Sequence, residues 1–249
     1  MSLFGDYHTH TIYSHGKGTI EQNVMFAKQK GLKQIAITDH GFLHRLYAVD
    51  RKNIGKMRNE CENAAKKFGV DVFLGVEANL MSLDGDVDIT KEEYSKLDIL
   101  LVGWHNFVYT KGFKNKFSFF FMNYIYNVLK TPKYKKNQNT KAYLKAIEKY
   151  PIDVITHLNY GMKVNTLEVA KFARDHGTYI ELNGKRIKFS KKEIKQMIDE
   201  KVMFIIGSDA HEYNRVGKND HAFSLIAKYN IPEELIANLN KIPKFKKVN

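Results

Sequence analysis

Short apolar runs rich in β-branched residues alternate along this chain with longer amphipathic stretches. Seven runs read as strands: Leu3–His8, Gln34–Asp39, Val70–Val76, Ile99–Trp104, Asp153–Thr156, Thr178–Leu182 and Met203–Gly207. Several are almost unbroken in their apolarity, as expected of parallel strands covered on both faces. Between them the periodicity predicts helices over Ile20–Lys30, Asn53–Phe68, Tyr143–Tyr150, Leu167–His176 and Lys191–Lys201. Gly31, Gly69 and Gly177 follow three of these helices and suit left-handed C-caps. Ser190 with Glu193 reads as a capping box, and Pro232-Glu233-Glu234 as the start of a last helix. Repeated βα units require a parallel sheet, closed or doubly wound. Seven such units fit a barrel best. The expected fold is therefore α/β, a distorted TIM-like (β/α)7 barrel in a single domain over residues 1–249.

One stretch breaks this rhythm. Residues 106–138 are long for a βα connection and combine aromatics with Lys111, Lys114, Lys116, Lys130, Lys133, Lys135 and Lys136. They read either as a lid or rim insertion over a site, or as a surface-packed helix with a solvated basic face. The most aromatic part, Phe117 to Leu129, is interrupted by Asn123 and Asn127 and falls short of the roughly 20 apolar residues of a membrane span. The start of the chain shows no basic segment followed by an apolar signal core. The expected compartment is the cytoplasm, with no membrane partner. A lone cysteine, Cys61, excludes an internal disulfide and a thiolate metal cluster. The formal net charge of +13 suits anionic ligands, from small phosphates to nucleic acid. The lysines are nevertheless spread over helix faces rather than gathered into one stripe.

The residues that carry chemistry lie at the strand ends. His8 and His10 close the first strand and share one side of an extended segment. His15 follows in the loop. His40 ends the second strand, Glu77 the third, His105 the fourth and His157 the fifth. Asp209 and His211 close the seventh, again two apart. The sixth ends in Glu181-Leu182-Asn183-Gly184, without an obvious ligand. In a βα barrel these C-terminal ends converge on one face, so seven histidines and two acids could share a pocket. Taken singly, each has an ordinary reading. Thr38-Asp39-His40 could be a helix N-cap, and His105 or His157 a satisfied core histidine. Taken together they exceed the four ligands of a closed structural zinc site. They point instead to two or three divalent ions sharing bridging carboxylates. Such a cluster, holding a hydroxide, suits phosphoester hydrolysis. His44 is close enough to His40 to line the pocket. His176, at a helix C-terminus, and His221, at a helix start, read as structural.

With these residues in place, the chain resembles the polymerase and histidinol phosphatase (PHP) family of metal-dependent phosphoesterases. The resemblance is carried by Asp6-Tyr7-His8-Thr9-His10, Ile37-Thr38-Asp39-His40, Gly75-Val76-Glu77-Ala78-Asn79 and Ser208-Asp209-Ala210-His211, and it spans essentially the whole chain. It implies a seven-stranded distorted barrel and a centre of three divalent metal ions, usually Zn, sometimes Mn or Fe. By motif, the resemblance assigns His8, His10, Glu77 and Asp209 to a first ion. Glu77 would bridge to a second ion held with His105 and His157, and His15, His40 and His211 would hold the third. Asp39 reads either as a partner orienting a histidine ligand or as an N-cap. Lys163, Lys185, Arg186 and Arg215 lie in loops after the last three strands, as phosphate grips or as solvated charges. Arg186 and Arg215 are the best candidates, because a guanidinium binds phosphate in a fork.

The leading expectation is a phosphatase acting on a small phosphorylated substrate, with histidinol phosphate and nucleotides as candidates. The alternative is a phosphodiesterase or nuclease working on nucleic-acid ends, since PHP domains also occur as processing units of DNA polymerases. No helix-hairpin-helix or aromatic-basic platform accompanies the motifs here. A third reading, from a different class, is a non-catalytic metal- or DNA-binding scaffold.

Overall fold

The computed structural model describes residues 2–110 and 115–247, and every run expected to be extended forms a strand. Lys111 and Lys114 of the irregular stretch lie outside the described residues. The strands are β1 (Gly5–Asp6), β2 (Gln34–Ile37), β3 (Asp71–Asn79), β4 (Ile99–Gly103), β5 (Val154–Ile155), β6 (Tyr179–Asn183) and β7 (Phe204–Gly207). They pair in parallel, in chain order, as one seven-stranded sheet. Around them run α1 (Ile20–Gln29), α2 (Ile54–Phe68), α3 (Lys91–Ser95), α4 (Met122–Val128), α5 (Lys133–Lys149), α6 (Thr166–Asp175), α7 (Lys191–Asp199) and α8 (Asp220–Tyr229). This is the TIM-like barrel that the alternation of patterns predicts. Gly31, Gly69 and Gly177 all take positive φ, and Ser190 with Glu193 makes the capping box of α7.

Period-two alternation divides the strand residues between two cores. Ile35, Ile37, Leu100 and Val102 face outward and pack with Val24, Ala27, Met57 and Cys61 of α1 and α2. Ala36, Ile99, Leu101, Val154 and Ile205 face inward and pack with Tyr7 and with Phe245 from the chain's end. This inner cluster contains no helical residue, so it fills the lower half of the barrel. Read toward the C-terminal ends, the inward rows then turn polar. Phe73 leads to Gly75 and Glu77, Val154 to Thr156, and Tyr179 to Glu181 and Asn183.

The seam between β7 and β1 explains two departures from the expected elements. Near the top their backbones meet at the Thr9–Ala210 bridge. Lower down, the segment after α8 is wedged between them, bridging Phe204 through Ile236 and Leu3 through Leu239. The Asn238 side chain stands in for a strand peptide there. Its Nδ2 donates to the carbonyls of Gly5 and Ile206 at 2.9 and 2.8 Å, and its Oδ1 accepts from Ile206 N at 2.9 Å. The ladder of β1 is consequently shorter than Leu3–His8. The helix expected from Pro232 is a single 3₁₀ turn, Glu233–Leu235, because the buried residues beyond it must run extended to fill the seam.

Helix α5 begins at Lys133 rather than Tyr143. Its first turns bury Lys135, Asn139 and Thr140, polar residues that disguise an inward face. Asn139 and Asn123 exchange two amide hydrogen bonds at 2.8 and 3.1 Å, and Phe120 stacks on Trp104. Residues 115–128 and 133–138 of the irregular stretch are thus helical, and these contacts pin them to the barrel. No helix of the described residues is long and apolar enough to cross a membrane.

Candidate metal centre

The polar ends of the inward rows meet at the top of the barrel, and Glu77 is their hub. Its Oε2 lies 3.4 Å from His8 Nε2, 3.7 Å from His10 Nε2, 3.2 Å from His40 Nδ1 and 3.3 Å from His105 Nε2. Its Oε1 lies 2.7 Å from His157 Nε2 and accepts from Thr156 Oγ1 at 2.8 Å. Asp209 Oδ1 lies 3.4 Å from His10 Nε2 and 3.3 Å from His211 Nδ1. The His15 ring packs between those of His40 and His211, with centroids 4.8 and 4.2 Å away. All nine residues singled out in the sequence therefore share one site. Three trios hold ligand atoms within reach of a single cation: His8–His10–Asp209, His40–Glu77–His105 and His10–His40–His211.

The backbone is arranged to permit this crowding. Gly103 has no side chain because a Cβ there would strike Thr156 Oγ1 and come within 2.9 Å of the His157 ring. His157 and Asp209 sit at φ 30° and 53°, a left-handed region that few non-glycine residues adopt. Such conformations persist at sites whose surroundings hold them in place.

Charge follows the same logic. Burial alone would raise Glu77, but His105, His8 and His157 hold its carboxyl well below the usual carboxylate range. Burial opposes ionisation of Asp209 as well, and His8, His10 and Lys185 more than offset it. Burial pushes His15 down to about 3 and His105 and His211 to about 4, and takes His10 well below its ordinary value. These imidazoles are neutral near pH 7, the form that ligates metal. His8 is the exception: burial lowers it, yet Glu181, Glu77 and Asp209 together raise it well above 6.5.

The decisive test of fit is hydrogen bonding. His10 Nδ1, His15 Nδ1, His40 Nδ1, Glu77 Oε2 and His105 Nε2 are buried and have no hydrogen-bond partner. Buried polar atoms are ordinarily paired. Five orphans among these nine residues, all imidazole nitrogens or carboxylate oxygens, are the donor set of divalent zinc, manganese or iron.

The substrate-side residues fall differently from expectation. A cavity of about 230 Å³ opens above the cluster, walled by His44, Tyr47, Phe107 and Arg186. Arg186 lies over the Tyr160 ring at 4.6 Å, with Nη1 3.9 Å from Asp209 Oδ2. Arg215 does not line this cavity; it sits in the 3₁₀ turn Tyr213–Arg215. Lys163 is turned aside to the Asn159 carbonyl. Lys185 goes deeper than Arg215, donating to the Asp209 carbonyl and lying 3.1 Å from His211 Nδ1. Asp39 does not bond a histidine ring. Its carboxylate accepts from Thr11 N and Thr11 Oγ1, both at 2.6 Å, and from Ser14 Oγ at 2.5 Å, bracing the loop that carries His10 and His15. His176 caps α6 through the Phe172 carbonyl, and His221 lies exposed in the first turn of α8.

Three residues that matter here were not singled out. Glu181 bonds His8 Nδ1 at 2.6 Å. Asn79 Oδ1 bonds His105 Nδ1 at 2.8 Å. Asp88 in turn accepts from Asn79 N and Nδ2 at 2.6 and 2.5 Å. Glu181 and Asn79 occupy inward rows, two residues on from Tyr179 and Glu77, so the alternation contained the signal. Asp88 lies in a loop and carried none.

Comparison with known proteins identifies the family. The PHP domain model matches residues 6–237. A probable phosphatase of Caldanaerobacter subterraneus is 32% identical over 253 residues, covering 96% of this chain and 88% of the relative. A probable phosphatase of Shewanella sp. (strain MR-4) is 28% identical, covering 94% and 86%. Among solved structures, histidinol phosphate phosphatase from Lactococcus lactis, complexed with zinc, L-histidinol and phosphate, shares the fold. Its TM-score is 0.59 at 14% identity, covering 100% of this chain and 99% of that one. Motifs, barrel and family model lead to the same place: the chain belongs to the PHP domain family.

Proposed function

We propose that this chain is a metal-dependent phosphatase hydrolysing a small phosphomonoester. In this reading His8, His10, His15, His40, Glu77, His105, His157, Asp209 and His211 hold three divalent ions, zinc first and manganese or iron as alternatives. The observation that carries it is the set of buried, unpartnered imidazole nitrogens gathered with the unpartnered Glu77 Oε2. Ions held there would supply an activated hydroxide and positive charge for the phosphoryl oxygens.

The chain's own groups do the rest. Ionised Glu77 and Asp209 provide negative charge for cations, and the neutral imidazoles provide lone pairs. Arg186, over the Tyr160 ring on the cavity wall, can offer a fork of donors to a phosphoryl group. His44 accepts from the backbone N–H groups of Leu46 and Tyr47 at Nδ1, so its proton resides on Nε2. Asp39 keeps the His10–His15 loop in place. A cavity of about 230 Å³ suits a phosphoryl group with a short ester arm better than a polymer strand. Relatives named as probable phosphatases support the same reaction class. Histidinol phosphate is a candidate substrate by fold analogy alone.

The test is a screen for released inorganic phosphate across phosphorylated metabolites and an oligonucleotide, with Zn²⁺ or Mn²⁺ supplied. The expected result is phosphate release from small monoesters. Oligonucleotide cleavage without monoester turnover would replace this reading with a nuclease.

A further inference from the structure

Strand β6 contributes no ligand to the nine-residue set, yet its Glu181 is 1% exposed and lies against it. A carboxylate so buried needs specific partners. Glu181 Oε1 lies 2.6 Å from His8 Nδ1. Its Oε2 accepts from the backbone N–H of His157 at 2.8 Å and from Asn183 Nδ2 at 2.9 Å. The first contact leaves His8 Nε2 facing His10, Glu77 and Asp209, at 3.2, 3.4 and 3.9 Å. The second holds the peptide of a residue at φ 30°, the conformation in which His157 Nε2 reaches Glu77 Oε1. The space is tailored to this carboxylate. A Cβ at Gly207 would come within 2.5 Å of Glu181 Oε1 and 2.9 Å of His8 Cβ.

We infer that Glu181 is a positioning residue that couples two parts of the cluster, fixing the His8 ring on one side and the His157 backbone on the other. This rests on the metal-centre reading above. A carboxylate that takes the distal N–H of a ligating histidine sets which nitrogen faces the metal and holds the ring's orientation. Glu181 does this for His8, and through one further bond it holds the strained turn that presents His157. Its loss therefore loosens the grip on two ions together. Asn79 provides the contrast, because within the nine-residue set its side chain bonds one member, the ring of His105.

The test is zinc affinity by chelator competition, with bound metal quantified, in the full chain and in Glu181→Gln, Glu181→Ala and Asn79→Ala. Glu181→Gln keeps the shape and an acceptor oxygen while removing the charge. The expected outcome is two zinc equivalents weakened by about 10–100-fold in Glu181→Ala and by less in Glu181→Gln. In Asn79→Ala one equivalent weakens. Imidazole NMR of the zinc-loaded parent should place the His8 proton on Nδ1, a readout that needs no variant. Parent-like zinc affinity in the folded Glu181 variants would overturn the coupling while leaving the metal centre standing. So would weakening of only one equivalent, or a His8 proton on Nε2 in the zinc-loaded parent. A parent chain that binds no zinc would overturn both.

Discussion

The lower and upper halves of the barrel interior share the same inward-facing rows and hold opposite contents. Below, Tyr7, Ala36, Ile99, Leu101, Val154 and Ile205 close on one another and on Phe245. Above, at the C-terminal ends of the same strands and in the loops that follow, nine ligand-type side chains crowd together and leave buried atoms unpaired. Burial of apolar surface stabilises the lower half outright. The upper half is a net cost to the fold until something satisfies its orphans. The difference teaches that one sheet can separate the two tasks by height, with stability at the N-terminal ends and chemistry at the C-terminal ends.

Substitutions can break or sharpen this contrast. In the upper half, Asp209→Asn or His157→Ala should lower kcat/KM on small phosphomonoesters by on the order of 10³-fold or more, the scale of losing a preorganised charge-stabilising group. The circular dichroism of both variants should match the parent's. Unchanged turnover in metal-quantified variants would contradict the assignment. In the lower half, Leu101→Ala should cost about 2–5 kcal/mol in chemical denaturation while keeping parent-like activity per folded molecule. An activity loss there without a stability loss would erase the division between the halves.

The smallest effect concerns pH. His15 is held at about 3, and His44, His105 and His211 at about 4, by burial and by neighbouring histidines. Their unfolded values lie near 6.5, so between those limits the unfolded chain binds more protons. The metal-free protein should keep its full stability from these groups above pH 6.5. It should lose that stability progressively as pH falls toward about 4, with His8 opposing in part because its folded value is raised. Denaturation midpoints at pH 7 and pH 5 measure the net sign, and a higher midpoint at pH 5 would refute it.

Much of this was legible in the sequence for identifiable reasons. The strands were visible because parallel strands buried on both faces are continuous apolar runs. The nine ligand-type residues were visible because His, Asp and Glu stand out where such runs end. What escaped notice was polar residues doing internal work. Glu181 and Asn79 lie in the right rows, but period-two alternation gives only the side of the strand, and the histidine each one meets belongs to a neighbouring strand or loop. The first half of α5 was hidden because its inner face carries Lys135, Asn139 and Thr140. The seam filled by Ile236–Leu239 depends on how β1 and β7 fail to meet, a tertiary fact with no local signature. Arg186 and Arg215 looked alike in the sequence; only the turn after β7 separates them, placing one on the cavity wall and the other away from it.

The most direct measurement strips the purified chain with a chelator, quantifies its metal, and follows phosphate release from a small phosphomonoester before and after reloading with Zn²⁺ or Mn²⁺. Activity should vanish with the metal and return in proportion to the ions rebound. Full turnover by a chain shown to hold no metal would contradict the account.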